Sequence, residues 1–214
     1  VGIVSDAKAA LAALLAEAKR RGYHPAPGPR VRALPQRRQE LARKTHYEDV
    51  PIKPQRVFAE INRFFGPDTM FTVGCGLTQI WSGQLQEIDR PRHYLPSGGA
   101  GTLGYEVPAA IGAKVACPDK TSVVVVGDAG LLFMVEELAM AAQHGIPIIV
   151  IVVNNGFLSL IRQNQKYAYG YEHAVSLWYG AEGIHPDNAK IAEGFGAKAE
   201  RVGKPDELGP ALQR

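Results

Sequence analysis

Thr121-Ser122-Val123-Val124-Val125-Val126-Gly127-Asp128-Ala129-Gly130 and, further on, Ile148-Ile149-Val150-Ile151-Val152-Val153-Asn154-Asn155 decide the fold of this chain. Apart from Ser122, residues 121–126 are all β-branched, and the second run is almost as apolar. Short runs without polar alternation read as parallel strands buried on both faces. Leu131–His144 between them has helical character. A strand, a helix and a second strand make one right-handed crossover unit. Such a unit places Asp128 and Asn155, 27 positions apart, at the same edge of the sheet.

The alternation extends outward in both directions. A helix is expected around Gln55–Phe65, with Val57, Ile61 and Phe64 on one face, then a strand at Met70–Val73 and a helix around Thr78–Ile88. His93–Leu95 reads as a short strand, Ser97–Gly104 as a glycine loop and Tyr105–Ala116 as a helix. Beyond Asn155 we expect a helix near Leu158–Tyr167, a loop to about Pro186 and a helix near Asp187–Phe195. A strand at Lys198–Val202 and the start of a helix from Pro205 follow. The fold class is therefore α/β, a parallel sheet with helices on both faces, preceded by a linker.

The first fifty residues read differently. Val1–Val4 resembles the tail of a strand, and Ser5 or Asp6 caps a helix carrying Ala7, Ala10, Leu11, Leu14, Leu15 and Ala18 at helical spacing up to Gly22. Residues 1–22 are expected to end a preceding domain and 23–53 to be a linker. That linker opens on His24-Pro25-Ala26-Pro27-Gly28-Pro29 and holds one short helix around Gln36–Lys44. Residues 54–214 then form the main domain, cut before its last strand.

Of the 214 residues, 46% are hydrophobic and 21% charged, as in ordinary globular chains. The net charge of +3 is uneven, since residues 19–44 carry nine basic side chains and one acid. With Tyr23 as its only aromatic, that segment reads as a solvated linker rather than a nucleic-acid surface. The longest strongly apolar stretch, Ile146–Val153, is far too short to span a membrane. Cys75 and Cys117 have no metal spacing, so a cytoplasmic setting is expected.

Asp and Asn side-chain oxygens at adjacent strand ends suit Mg²⁺, an ion that commonly shares its shell with substrate phosphates. Gly127–Gly130 adds sparsely shielded backbone N–H groups at a helix start, an arrangement that cradles phosphate. Gly99-Ala100-Gly101-Thr102-Leu103-Gly104 matches the dinucleotide-binding string, but Asp128 lies inside its own glycine turn rather than alone as a ribose ligand.

Gly-Asp followed by Asn-Asn at this distance resembles the motif of the thiamine-diphosphate enzymes. Gly76-Leu77-Thr78-Gln79-Ile80-Trp81 resembles their diphosphate loop in acetohydroxyacid-synthase-type members, and Ser97–Gly104 resembles the loop that holds the aminopyrimidine. Lys44-Thr45-His46, Pro51–Val57 and Leu160-Ile161-Arg162-Gln163 are similar to the glyoxylate-carboligase branch. The resemblance implies the C-terminal part of an enzyme that condenses two glyoxylate molecules to tartronate semialdehyde with loss of CO₂. Acetohydroxyacid synthase, a 2-oxoacid decarboxylase or a non-catalytic interaction module are the alternatives.

The site residues follow from the same resemblance. Asp128, Asn155 and the Phe157 carbonyl bind Mg²⁺. Gly76, Leu77, Thr78, Gly127 and Ala129 hold the diphosphate, and Gly101 and Leu103 hold the aminopyrimidine by main-chain groups. The Leu103 side chain props the cofactor in its bent, reactive form. Leu158 and Ile161 line the substrate pocket. Ala129 stands where the family usually has glycine, which is tolerable unless a positive φ is needed there. The cofactor lies between two chains of a homo-oligomer, dimer or tetramer, the second chain supplying an N-terminal pyrimidine-binding domain. FAD sits in the full-length enzyme, and the fragment alone is expected to be inactive.

Overall fold

The computed structural model describes residues 2–177 and 183–214. It divides into two compact units, one ending at Arg43 and the other beginning at Lys44.

In the first unit, helix α1 (Ala7–Arg20) is capped by Asp6, whose carboxylate accepts the Ala9 N–H at 2.9 Å. It ends at Gly22, in the left-handed region with φ +62°. The apolar stripe of Leu11, Leu14 and Leu15 is exposed. Val4 is exposed and residues 2–4 form no strand, contrary to expectation. Residues 2–4 have no strand to pair with among the described residues, so there is no ladder to join. Val1 lies outside the described residues. Helix α2 (Pro29–Glu40) begins well before the expected Gln36. Proline suits the first position of a helix, where its missing N–H costs nothing, so the Pro-rich run ends in a helix start rather than a break. Arg20 and Arg21 both bind Glu17, and their hydrogen bonds hold its carboxyl below the usual glutamate range.

The second unit is built on four parallel strands, β1 (Met70–Val73), β2 (Tyr94–Pro96), β3 (Ser122–Gly127) and β4 (Ile149–Val153), in the spatial order β2-β1-β3-β4. The register pairs Phe71 with both Tyr94 and Val123, and Gly127 with Val153. Alternation of side chains across β3 divides the core. Val123 and Val125 pack with Phe58 and Ile61 of α3 (Pro54–Phe64) and with Trp81 and Leu85 of α4 (Leu77–Leu85). Val124 and Val126 pack with Val107, Ala110 and Ile111 of α5 (Glu106–Ala116), Leu131 of α6 (Asp128–Leu132), and Leu138 and Ala141 of α7 (Glu137–Gln143). Each fully buried valine contributes about 1.5–3 kcal/mol of transfer free energy. Helices thus cover both faces of an all-parallel sheet.

Several local expectations need correction. The helix expected over 131–144 is two helices, α6 and α7, joined by a turn that directs Val135 into the core. Strand β4 is the sheet edge, with its residues half-buried or exposed instead of buried on both faces. Phe64 is 38% exposed, while Phe65 takes its place, packing edge-on against Phe71 with ring centroids 5.7 Å apart. Lys198–Val202 forms no strand, because it lies across a groove from Val150 and Val152 rather than in a ladder with β4. The helix after Asn155 is short, α8 (Ser159–Asn164), and continues as one π-helical turn, Gln165–Tyr169. Two further helices, α9 (Asn188–Gly194) and α10 (Leu208–Gln213), complete the unit.

Candidate functional site

From β1 the chain passes to β2 on one side, then to β3 on the other. The carboxyl ends of β1 and β3 therefore border a point where strand order reverses, the place where open α/β sheets bind ligands. Two turns leave from that point, Gly74–Gly76 after β1 and Gly127-Asp128 after β3.

The turn after β1 depends on Gly76, which takes φ +102° and opens α4. Leu77 is half-buried as the first residue of that helix, and Thr78 is buried behind it. A Cβ on Gly127 would lie 3.4 Å from the Thr78 hydroxyl, so these two turns stand side by side. The glycine loop joins them from the β2 side. Gly101 has φ +63°, and a Cβ there would lie 3.7 Å from the Cys75 sulfur. Cys75 is thus a small filler between two loops. Within the glycine loop the Thr102 N–H donates to the Ser97 hydroxyl at 2.8 Å. Leu103 is half-buried, one residue before Gly104, where φ is +81°.

Asp128 is the first residue of α6 and only 2% exposed. Its Oδ1 accepts the Ala129 N–H at 2.9 Å, and its Oδ2 accepts the Gly156 N–H at 2.6 Å. His185, on a distant loop, places Nε2 3.2 Å from the same Oδ2 and Nδ1 2.8 Å from the Pro186 carbonyl. A carboxylate offers about four acceptor directions, so the three contacts leave Asp128 one for a further partner. Ala129 has an ordinary helical backbone with negative φ, so its methyl causes no strain where glycine was anticipated.

The second turn supplies two more oxygens. Asn155 Oδ1 accepts the Phe157 N–H at 3.0 Å and the Ser159 hydroxyl at 2.7 Å. The same hydroxyl lies 3.1 Å from the Phe157 carbonyl oxygen. The Asn155 amide oxygen and the Phe157 carbonyl therefore converge on one point, at present filled by Ser159 Oγ. With the Asp128 carboxylate, the donor set is all oxygen, which fits Mg²⁺ and not a thiophilic metal. Coordination by Asn155 would require Ser159 to turn aside. Among the described residues no cluster of three or more His, Cys, Asp or Glu could hold a metal independently.

Leu158 precedes α8 and is half-buried, its N–H held by the Val175 carbonyl at 2.8 Å. Ile161, one turn further, is 51% exposed. The Arg162 guanidinium lies over the Phe157 ring, 4.0 Å from its centroid, and binds Glu172 at 2.6 Å. Arg162 also holds the Glu172 carboxyl below its usual range. The loop expected up to about Pro186 includes Trp178, which lies outside the described residues.

Sequence reasoning missed two residues. His185 lies in a loop without ligand spacing, and nothing local marks it as a neighbour of Asp128. Glu106 falls at the start of the helix expected over Tyr105–Ala116, and nothing in the sequence reading singles it out. In the structure it is fully buried, and its Oε1 accepts the Cys75 N–H at 3.1 Å. Burial pushes its carboxyl above the usual glutamate range, against the backbone N–H groups of Glu106, Cys75 and Gly104, which favour the charged form. The one available signal was an acid surrounded by Val107, Ala110 and Ile111 on a short apolar helix.

Comparison with known proteins agrees with this geometry. Residues 74–214 match the family model described as the thiamine pyrophosphate enzyme C-terminal TPP binding domain. Over its whole length the chain is 41% identical to the glyoxylate carboligase of Escherichia coli O157:H7, covering 37% of that protein. It is 36% identical, over 78% of its length, to a probable acetolactate synthase large subunit of Methanococcus aeolicus, and covers 28% of it. Against the acetolactate synthase large subunit of Corynebacterium glutamicum the identity is 37% over 78% of the chain and 27% of the relative. The chain thus spans roughly a quarter to two fifths of the curated relatives it matches.

Proposed function

The chain belongs to the thiamine pyrophosphate enzymes, through their C-terminal cofactor-binding domain, and on that premise we propose that it serves a carboligase condensing two glyoxylate molecules to tartronate semialdehyde and CO₂. The observation that carries the cofactor reading is the hydrogen bond from the Gly156 N–H to the buried Asp128 carboxylate, which ties the two motif turns together. The choice of glyoxylate is supported by the 41% identity along the whole chain.

Asp128, the Asn155 amide oxygen and the Phe157 carbonyl would hold Mg²⁺. Backbone groups of Gly76, Leu77, Thr78, Gly127 and Ala129 would receive the diphosphate. Thiamine diphosphate, when bound, supplies the carbon nucleophile and electron sink for decarboxylation and carbon–carbon bond formation. The main chain at Gly101 and Leu103 would orient the aminopyrimidine, and the Leu103 side chain would enforce the bent form. Leu158 and Ile161 would bound the substrate pocket and exclude water from it. In this proposal the working site also needs an N-terminal domain from a second copy in a homo-oligomer, FAD sits elsewhere in the full-length enzyme, and the 214-residue chain alone does not turn over. We place the enzyme in the cytoplasm, since the spacing of Cys75 and Cys117 suggests no disulfide framework.

A second reading, acetolactate synthesis from pyruvate, is favoured by the 36–37% identity to acetolactate synthases. Product analysis of the full-length enzyme given glyoxylate and pyruvate separates the two. Tartronate semialdehyde is the expected product; acetolactate without it would overturn the glyoxylate assignment.

A further inference from the structure

Glu106 stands where three loops of the site meet. It begins α5, directly after the glycine loop. Its Oε1 accepts the N–H of Cys75, the residue before Gly76. Room for that carboxyl exists only because residue 74 is glycine, since a Cβ there would lie 2.3 Å from Oε1. On the opposite side, a Cβ on Gly130 would lie 3.6 Å from the same oxygen, in the first turn of α6. The Thr72 hydroxyl fixes the Glu106 backbone, donating to its carbonyl at 2.9 Å. The side chain is 0% exposed, and Oε2 has no hydrogen-bond partner.

A buried carboxyl with one unsatisfied oxygen is expensive, and an apolar residue would serve packing better. Glu106 nonetheless faces backbone that adjoins the proposed diphosphate contacts: it accepts from Cys75, beside Gly76, and lies close to Gly130, beside Ala129. We propose that Glu106 is a positioning residue for thiamine diphosphate, a buried carboxylic acid that locks the turn after β1 against the start of α6 so that both present their N–H groups to the diphosphate. It acts through Cys75 and touches no reacting atom. The carbonyl-type oxygen carries the function. A neutral amide should therefore replace the acid, and a methyl should not.

This inference rests on the reading of the site as a thiamine-diphosphate cradle, and the experiment separates the two. Mg²⁺-dependent binding of thiamine diphosphate is measured by titration calorimetry on the full-length protein, as wild type, Glu106→Gln and Glu106→Ala, with EDTA controls. Gln should bind within about threefold of wild type. Ala should bind about tenfold or more weakly, as expected when the half-buried Cys75 N–H loses its acceptor. Gly74→Ala keeps the acid but displaces it, and should weaken binding like Glu106→Ala. Thermal unfolding of each variant establishes that it is folded at the titration temperature. Wild-type affinity in folded Glu106→Ala, or a loss in Gln equal to that in Ala, overturns the positioning role and leaves the cofactor reading intact. Failure of the wild type to bind overturns both.

Discussion

The Asp128 carboxylate and the Gly156 backbone N–H meet at 2.6 Å across the carboxyl ends of two neighbouring strands. The contact exists because Gly127 is in register with Val153, so the two turns leave the sheet from the same level. It holds the Asp128 carboxylate against the turn that presents Asn155 and the Phe157 carbonyl. In the proposed site this single side chain would link metal binding to loop geometry.

Replacing Asp128 with alanine should abolish Mg²⁺-dependent binding of thiamine diphosphate by the intact enzyme. It should also lower stability by about 1–3 kcal/mol, because the hydrogen bonds that the buried carboxylate accepts from Ala129 and Gly156 are lost, the Gly156 N–H keeping only the Asn154 amide oxygen at 3.1 Å. Titration calorimetry with Mg²⁺ and then with EDTA checks the first outcome, and denaturant unfolding checks the second. Metal-dependent binding that persists in this variant would refute the metal assignment.

Leu103→Ala separates holding from bending. Gly101 and Leu103 are proposed to hold the aminopyrimidine through main-chain groups, which the substitution leaves in place. The dissociation constant should change little, while kcat for carboligation should fall by about tenfold or more as the reactive geometry is lost. A wild-type kcat would show that the side chain does not prop the cofactor.

Two glycine-to-alanine changes should move stability in opposite directions. At Gly104 the backbone has φ +81°, and a Cβ would sit 2.5 Å from Met134 Cγ in the turn between α6 and α7. Alanine there should cost about 1–3 kcal/mol. At Gly112, inside α5, a Cβ meets nothing within 4 Å, and alanine should add about 0.5–1 kcal/mol. Paired Tm measurements decide the matter. Equal effects at the two positions would contradict the loop packing described here.

Glu106 makes a pH-dependent prediction. Burial raises its carboxyl in the folded chain, so the unfolded chain ionises first as pH rises. Between the unfolded and folded values the native state binds more protons, and this group's contribution to stability declines with rising pH. Glu106→Gln has no such dependence. The Tm of Gln relative to wild type should therefore increase as pH climbs from about 4 towards neutrality. A difference that shrinks over this range would mean the native carboxylate is favoured in its charged form.

The strands and their turns were legible because their signals are local and redundant. Met70–Val73 and the valines of 122–127 have one reasonable reading, and glycines marked the turns that follow. Less legible was whatever depends on neighbours distant in sequence. Strand β4 is as apolar as β3, yet only tertiary order makes one an edge and the other central. The split between α6 and α7 reflects the packing of Val135 rather than a breaker residue. At the site, Asp128 could be read from its own turn. His185 could not, because its approach is set by a loop 57 residues away. Glu106 was hidden because its partner, Cys75, lies 31 residues away in the sequence.

Strand β4 forms one border of the sheet and pairs only with β3 among the described residues. Its outer rail of amides and carbonyls follows a run, Ile149–Val153, that contains no charge and no proline. Natural edge strands usually carry such features as protection against joining a foreign strand. Strand β4 itself carries neither, and Ile149 is 39% exposed. Handled by itself in solution, the chain is therefore expected to self-associate through that rail, which light scattering checks. A lysine at position 149 would be the conservative way to keep it dispersed.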